Sequence, residues 1–198
     1  AKEFEDPKLA MWWFAKKQND PSLLFNELRL LETGKYASNS EFEERRLLPI
    51  IMAFADIEQL SAPISAPTKQ IWWGDDITPV VLIHSDWTFS ETDKFFGIKG
   101  GRSNTSHAHM DGGSFVYDAY GQRWAMDLGM QTYSPLEEIG IDLWNMEQNS
   151  TRWSVFRLNN HSHNVISING NDHHYKGKAF LRMDYMNNIG NKLGAQFE

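Results

Sequence analysis

His107, His109 and Asp111 occupy alternate positions in Ser106-His107-Ala108-His109-Met110-Asp111-Gly112-Gly113-Ser114-Phe115. If that stretch is extended, alternate side chains share a face, and two imidazoles and a carboxylate project together. Burial of apolar surface asks for no such grouping; a metal site or a catalytic surface does. Downstream, Trp124-Ala125-Met126-Asp127-Leu128-Gly129 sets another carboxylate in an apolar, strand-like run. Further on, His161 and His163 precede the β-branched alternation Val165-Ile166-Ser167-Ile168. Two histidines and one carboxylate from separate strands are a common way to hold zinc with one position open, and the same donors suit other divalent ions. Spacing leaves a plainer reading open, in which these are core histidines satisfied by backbone.

Such residues need elements to position them, and the chain changes character along its length. Asp6-Pro7 and Asp20-Pro21 each place a capping carboxylate before a proline at the first helical position. Leu9, Trp12, Trp13 and Lys16, then Leu23, Leu24, Leu28 and Leu31, recur at helical spacing, and a third helix is expected over Phe42 to Leu60, broken near Pro49. These stripes look like the end of a larger helical array. Residues 61–78 read as a linker opened by Ser61-Ala62-Pro63-Ile64-Ser65-Ala66-Pro67-Thr68. From residue 79 onward, strands are expected at Val80–Ile83, Lys94–Lys99, Ser114–Tyr120, Arg123–Asp127, Val165–Ile168 and Ala179–Tyr185. Gly121-Gln122 is expected as a tight hairpin and Asn169 to Asp172 as a turn. Strands without intervening helices mean an antiparallel sheet or sandwich.

Composition narrows the partners. The net charge of −7 argues against nucleic acid, and an anionic substrate would need a local basic cleft, for which Lys94, Lys99 and Arg102 are candidates. There is no cysteine, so any ion must use imidazole and carboxylate. No run of eighteen apolar residues is present to span a membrane. Eight Trp, twelve Phe and six Tyr are plentiful enough that some rings could stack on sugar faces, although most rings belong in cores.

The motif Ser106 to Phe115, with Gly121, Arg123-Trp124-Ala125-Met126-Asp127-Leu128-Gly129, Arg152-Trp153, Phe156-Arg157-Leu158 and His163-Asn164, resembles the heparinase II/III-like polysaccharide lyases. The match runs from about Phe95 to Ile168. The resemblance implies an α+β chain: terminal helices of an (α/α) toroid over residues 1–60, then an antiparallel β-sandwich over 79–198. It implies cleavage of uronic-acid polysaccharides, glycosaminoglycan or alginate, by β-elimination, and a periplasmic or secreted protein. It assigns a metal, usually zinc, to His109, Asp127 and His163, and gives His107 a catalytic place facing the substrate. Asp111 would hold an imidazole from behind, or serve as a turn residue. The family's catalytic tyrosine, with its histidine and asparagine, belongs to the toroid and maps to no residue here. The expectation is therefore part of a lyase, inactive alone.

Asn104 and Arg102 are candidate substrate contacts, Arg157 a brace of the sandwich, and Trp72-Trp73 a sugar platform or an interdomain plug. His84, His161, His173 and His174 read as exposed loop histidines. The expected partner is an acidic polysaccharide, with neither nucleic acid nor membrane, and with self-association through exposed helical surface. Two alternatives compete. One is a non-catalytic carbohydrate-binding sandwich with a structural ion. The other, a cupin-like metalloenzyme, fits poorly, because Asp127 lies too far from the histidine pair and Asn164 directly follows His163.

Overall fold

The computed structural model describes residues 8–34, 49 and 51–181, and the backbone of two strands at 187–189 and 192–194. Two compact units divide between residues 69 and 70. The cap expected at Asp6-Pro7, residues 42–48 and 50 of the third helix, and residues 182–185 of the last strand lie outside the described residues.

In the first unit, α1 (Leu9–Gln18) stops at Asn19, whose φ of 52° is left-handed and lets its N–H return to the Lys16 carbonyl. Asp20 accepts from the Ser22 N–H at 3.1 Å and starts the 3₁₀ turn Pro21–Leu24, which runs into α2 (Phe25–Glu32). That is the capping role its place before proline predicts. Trp12, Ala15 and Leu24 form a buried cluster, packed by Leu28, Phe54, Leu60 and Ile64. Residues 51–54 are helical, and Asp56 caps the short helix Ile57–Leu60 through the N–H groups of Glu58 and Gln59.

The second unit is built on a five-stranded antiparallel sheet in the order β1 (Ile71–Gly74), β2 (Val80–His84), β3 (Phe95–Lys99), β5 (Phe115–Ala119), β6 (Gln122–Ala125). Between β3 and β5, the short β4 (Gly101–Arg102) pairs with β7 (Lys178–Ala179), and β8 (Asn187–Ile189) pairs with β9 (Lys192–Gly194). The chain is thus α+β, with the antiparallel sheet that its alternating stretches predict. Cross-strand partners put Ile71, Val81, Ile83 and Ile98 on one face, where they pack with Leu181. A separate core joins Met110, from the loop between β4 and β5, to Leu143, Trp153 and Leu158 from the segment after β6.

Three expectations change. β1 forms inside the stretch read as linker, because Ile71 to Gly74 pair with Ile83 to Val80. The β5–β6 turn centres on Tyr120-Gly121, both at positive φ (55° and 69°), and Gln122 already pairs with Ala119. Two central residues at positive φ match the right-handed twist of a hairpin. Val165–Ile168 is not a strand. Its polar groups are used locally: the Val165 N–H returns to the His163 carbonyl and Ser167 Oγ accepts from Asn160 Nδ2 at 3.1 Å. Ile166 and Ile168 stand 86% and 71% exposed, so the alternation marks no core face. No helix among the described residues is long and apolar enough to cross a membrane.

Candidate metal centre

The segment between β4 and β5 is a loop rather than a strand, and this separates the two histidines of the motif. His107 has a φ of 60°, at a turn closed by the Ala108 N–H on the Thr105 carbonyl. One left-handed residue breaks the alternation of an extended chain, so the expected common face holds for His109 and Asp111 but not for His107. The exposed His107 ring lies parallel to Tyr133 (centroids 5.9 Å, 17°) and edge-on to Trp144 (5.3 Å, 84°).

Buried anchors fix His109 and Asp111. Met110 between them is 1% exposed in the Leu143–Trp153–Leu158 core, and its N–H donates to the Leu158 carbonyl at 2.8 Å. Arg152, fully buried, donates to the carbonyls of Leu143 (2.6 Å) and Ala108 (2.7 Å). Lys99 at the end of β3 holds both oxygens of Asp111 at 2.8 Å. Gly112 allows the loop to close: a Cβ there would come within 3.0 Å of the Gly101 carbonyl and 3.1 Å of Ala179.

His163 arrives from a 3₁₀ turn, Asn160–Ser162, capped by Asn159. Asn164 next to it donates through Nδ2 to the carbonyls of Phe115 (2.9 Å) and Met126 (3.0 Å), pinning this loop beside Asp127. His163 Nδ1 then meets Asp127 Oδ2 at 2.6 Å, while Nε2 is buried with no partner among the described residues. The His109 and His163 ring centroids are 5.3 Å apart. One ligand atom each from His109, Asp111 and His163 lies within 4.8 Å of the others, and Asp127 joins this group through His163.

The electrostatics hold His109 and Asp127 in ligating states. Burial, with a smaller push from His163 and Arg152, lowers the pKa of His109 despite the opposing pull of Asp111, so its ring is neutral near pH 7. For Asp127, burial raises the pKa, but the Gly129 N–H and His163 together outweigh it and the carboxyl is held below its ordinary value. A neutral imidazole at His109 and an ionised carboxylate at Asp127, without thiols, are donors that suit zinc and harder divalent ions.

The four residues singled out as a metal shell and its support therefore meet. The spacing brings Asp111 into the group of three, and places Asp127 against His163. Of the three candidate cations, Lys99 is paired with Asp111, Lys94 lies over the Tyr120 ring at 5.5 Å, and Arg102 meets no carboxylate among the described residues. Asn104 Oδ1 is buried without a partner among them. Arg157 donates to the carbonyls of Leu128 and Met130, bracing the strand end beyond Asp127. Trp72 packs edge-on against Trp87, and Trp73 is 44% exposed. His84 is no exposed loop residue: it ends β2, stacked on Trp87 at 4.2 Å and 3.6 Å from Asp93. His161 pairs with Asp172, and His173 with the Ile166 carbonyl. Sequence reasoning missed Tyr133 and Trp144 beside His107, and the depth of Arg152; a buried arginine has the same letter as a solvated one.

The heparinase II/III-like, C-terminal family matches residues 93–192, and the chain belongs to it. That segment holds every residue of the cluster. No curated protein matches this chain.

Proposed function

We propose that the chain is part of a polysaccharide lyase that cleaves uronic-acid-containing glycans by β-elimination. The observation that carries this reading is the meeting of His109, Asp111, Asp127 and His163 within the family-matched segment, beside an exposed His107. β-Elimination removes the proton next to the uronate carboxylate and expels the 4-linked oxygen. It requires that carboxylate to be neutralised, a base at the proton and an acid at the leaving oxygen. His107, reachable from solvent and oriented by Tyr133 and Trp144, is suited to the carboxylate or to a proton transfer. The remaining groups would come from the toroid that the resemblance places ahead of this chain.

A divalent ion, zinc by donor type, would be held by His109, Asp127 and His163. When bound it supplies a fixed charge tying the β6 end to the two loops. Asp127 is the better third ligand on charge, since among the described residues no lysine or arginine neutralises it, whereas Asp111 is spent on Lys99. A second reading has its own support: the 4.8 Å grouping and the orphaned Nε2 of His163 favour Asp111 as ligand, with Asp127 orienting the ring. Polymeric glycans are met outside the cytoplasm, so the proposal includes a periplasmic or secreted protein. The test is incubation of the full-length protein with heparan, chondroitin and alginate. Ultraviolet absorbance from an unsaturated uronate is expected with at least one; none with any of them removes the lyase reading, and glycan binding without cleavage leaves the non-catalytic sandwich.

A further inference from the structure

A cavity of about 310 Å³ opens where β4 and β7 pair, and Met110 lines it, so it approaches within one residue of His109 and Asp111 along the chain. Arg102 and Lys178 both line it, and they are direct partners in the β4–β7 ladder. Residues so paired present their side chains to the same face, with Cβ atoms about 5 Å apart, and like charges placed there repel. Among the described residues neither cation meets a carboxylate. The acid that lines the cavity, Asp172, is engaged by His161 at 3.2 Å. Lys178 has only the Phe180 ring, at 4.7 Å. An anion between the two cations would turn this repulsion into attraction.

The rest of the lining adds a different chemistry. Ile166 and Ile168, largely exposed, supply apolar surface at the rim. His174 accepts the Lys176 N–H on Nδ1 at 3.3 Å, so a neutral ring carries its hydrogen on Nε2 as a donor. The volume is at the small end for ligand sites, enough for one or two sugar units.

We infer that this cleft is an accessory subsite for a uronate sugar, with its carboxylate between Arg102 and Lys178 and its C–H face on Ile166 and Ile168. The identity of the ligand rests on the acidic-glycan reading above; the site itself does not require cleavage. The subsite would hold the polymer at a point apart from the His107 and His109 cluster.

The test is calorimetric titration of the 198-residue chain with a uronate tetrasaccharide, a neutral glucose tetrasaccharide, a sulfated neutral tetrasaccharide and inorganic sulfate. Binding of the uronate is expected to weaken as salt rises and to fall at least tenfold in an R102A/K178A double variant, with R102K keeping most of it. Both positions are exposed, and an unchanged melting temperature shows that the double variant is folded. Preference for the sulfated sugar over the uronate would overturn the carboxylate assignment, and inorganic sulfate binding as tightly as the sugars would overturn the sugar assignment. No uronate binding, equal binding by the double variant, or equal binding of the neutral sugar would each sink the proposal. Cleavage by the full-length protein with no such binding would sink it while leaving the lyase reading intact. Binding without cleavage would do the reverse.

Discussion

Burying a guanidinium without a carboxylate is costly, and Arg152, which meets none among the described residues, carries that cost while holding the Ala108 and Leu143 carbonyls. Its removal would leave the buried Leu143 carbonyl and the half-buried Ala108 carbonyl without this donor. Arg152→Met is therefore expected to destabilise the chain by about 2–4 kcal/mol, read as a shift in urea midpoint. Because Ala108 precedes His109, the same variant should also bind the ion less tightly. A change under about 0.5 kcal/mol would show that the loop is held by Met110 and Lys99 alone. The two carboxylates separate the readings of the metal centre. If Asp127 is a ligand, Asp127→Ala loses the ion on dialysis as His109→Ala does, while Asp111→Ala keeps it with affinity lowered about 10–100-fold, as loss of an outer partner does. Elemental analysis after chelator-free purification checks this. Metal kept by Asp127→Ala and lost by Asp111→Ala would reverse the assignment, and none in the unmutated chain would remove the centre altogether.

Strand positions are legible where apolar and β-branched residues gather between turn signals, as in Val80–His84, whose Val81 and Ile83 enter the core, and in Phe95–Lys99, which shows no alternation in burial. A β-branched stretch at Val165–Ile168 forms no strand, because its alternation has no face to bury and Asn160 takes up the polar groups of the loop. The types of residue at the candidate site were readable, but not their pairing. Whether His107 and His109 share a face depends on one backbone angle, which the letters do not carry. The hairpin shows how such an angle can be tested. Tyr120 at a φ of 55° pays a strain that asparagine or glycine would pay less, and Gly121 at 69° pays almost none. Gly121→Ala is expected to cost about 1 kcal/mol, whereas Tyr120→Asn should raise the melting temperature, less what the Lys94 contact on the Tyr120 ring contributes. Equal stability of all three chains would mean that this turn does not have the positive angles described.

At the scale of the molecule, two tendencies oppose each other. The helical unit leaves Trp13 and Phe14 each 42% and Leu31 47% exposed, apolar surface that water penalises. The net charge of −7 makes two copies repel. Salt shortens the reach of that repulsion, from roughly 10 Å at 0.1 M to about 3 Å at 1 M, and leaves apolar burial in place. We therefore expect sedimentation velocity to show the chain associating with itself, more strongly at 0.5 M salt (on the order of half the upper limit just cited) than at 0.05 M. Trp13→Ser with Leu31→Ser should weaken that association. The salt dependence discriminates between causes: an assembly held by ion pairs would come apart as salt rises, because exposed pairs are screened. Dissociation at high salt, or association unchanged by both serines, would mean that the helical surface is not what joins the copies.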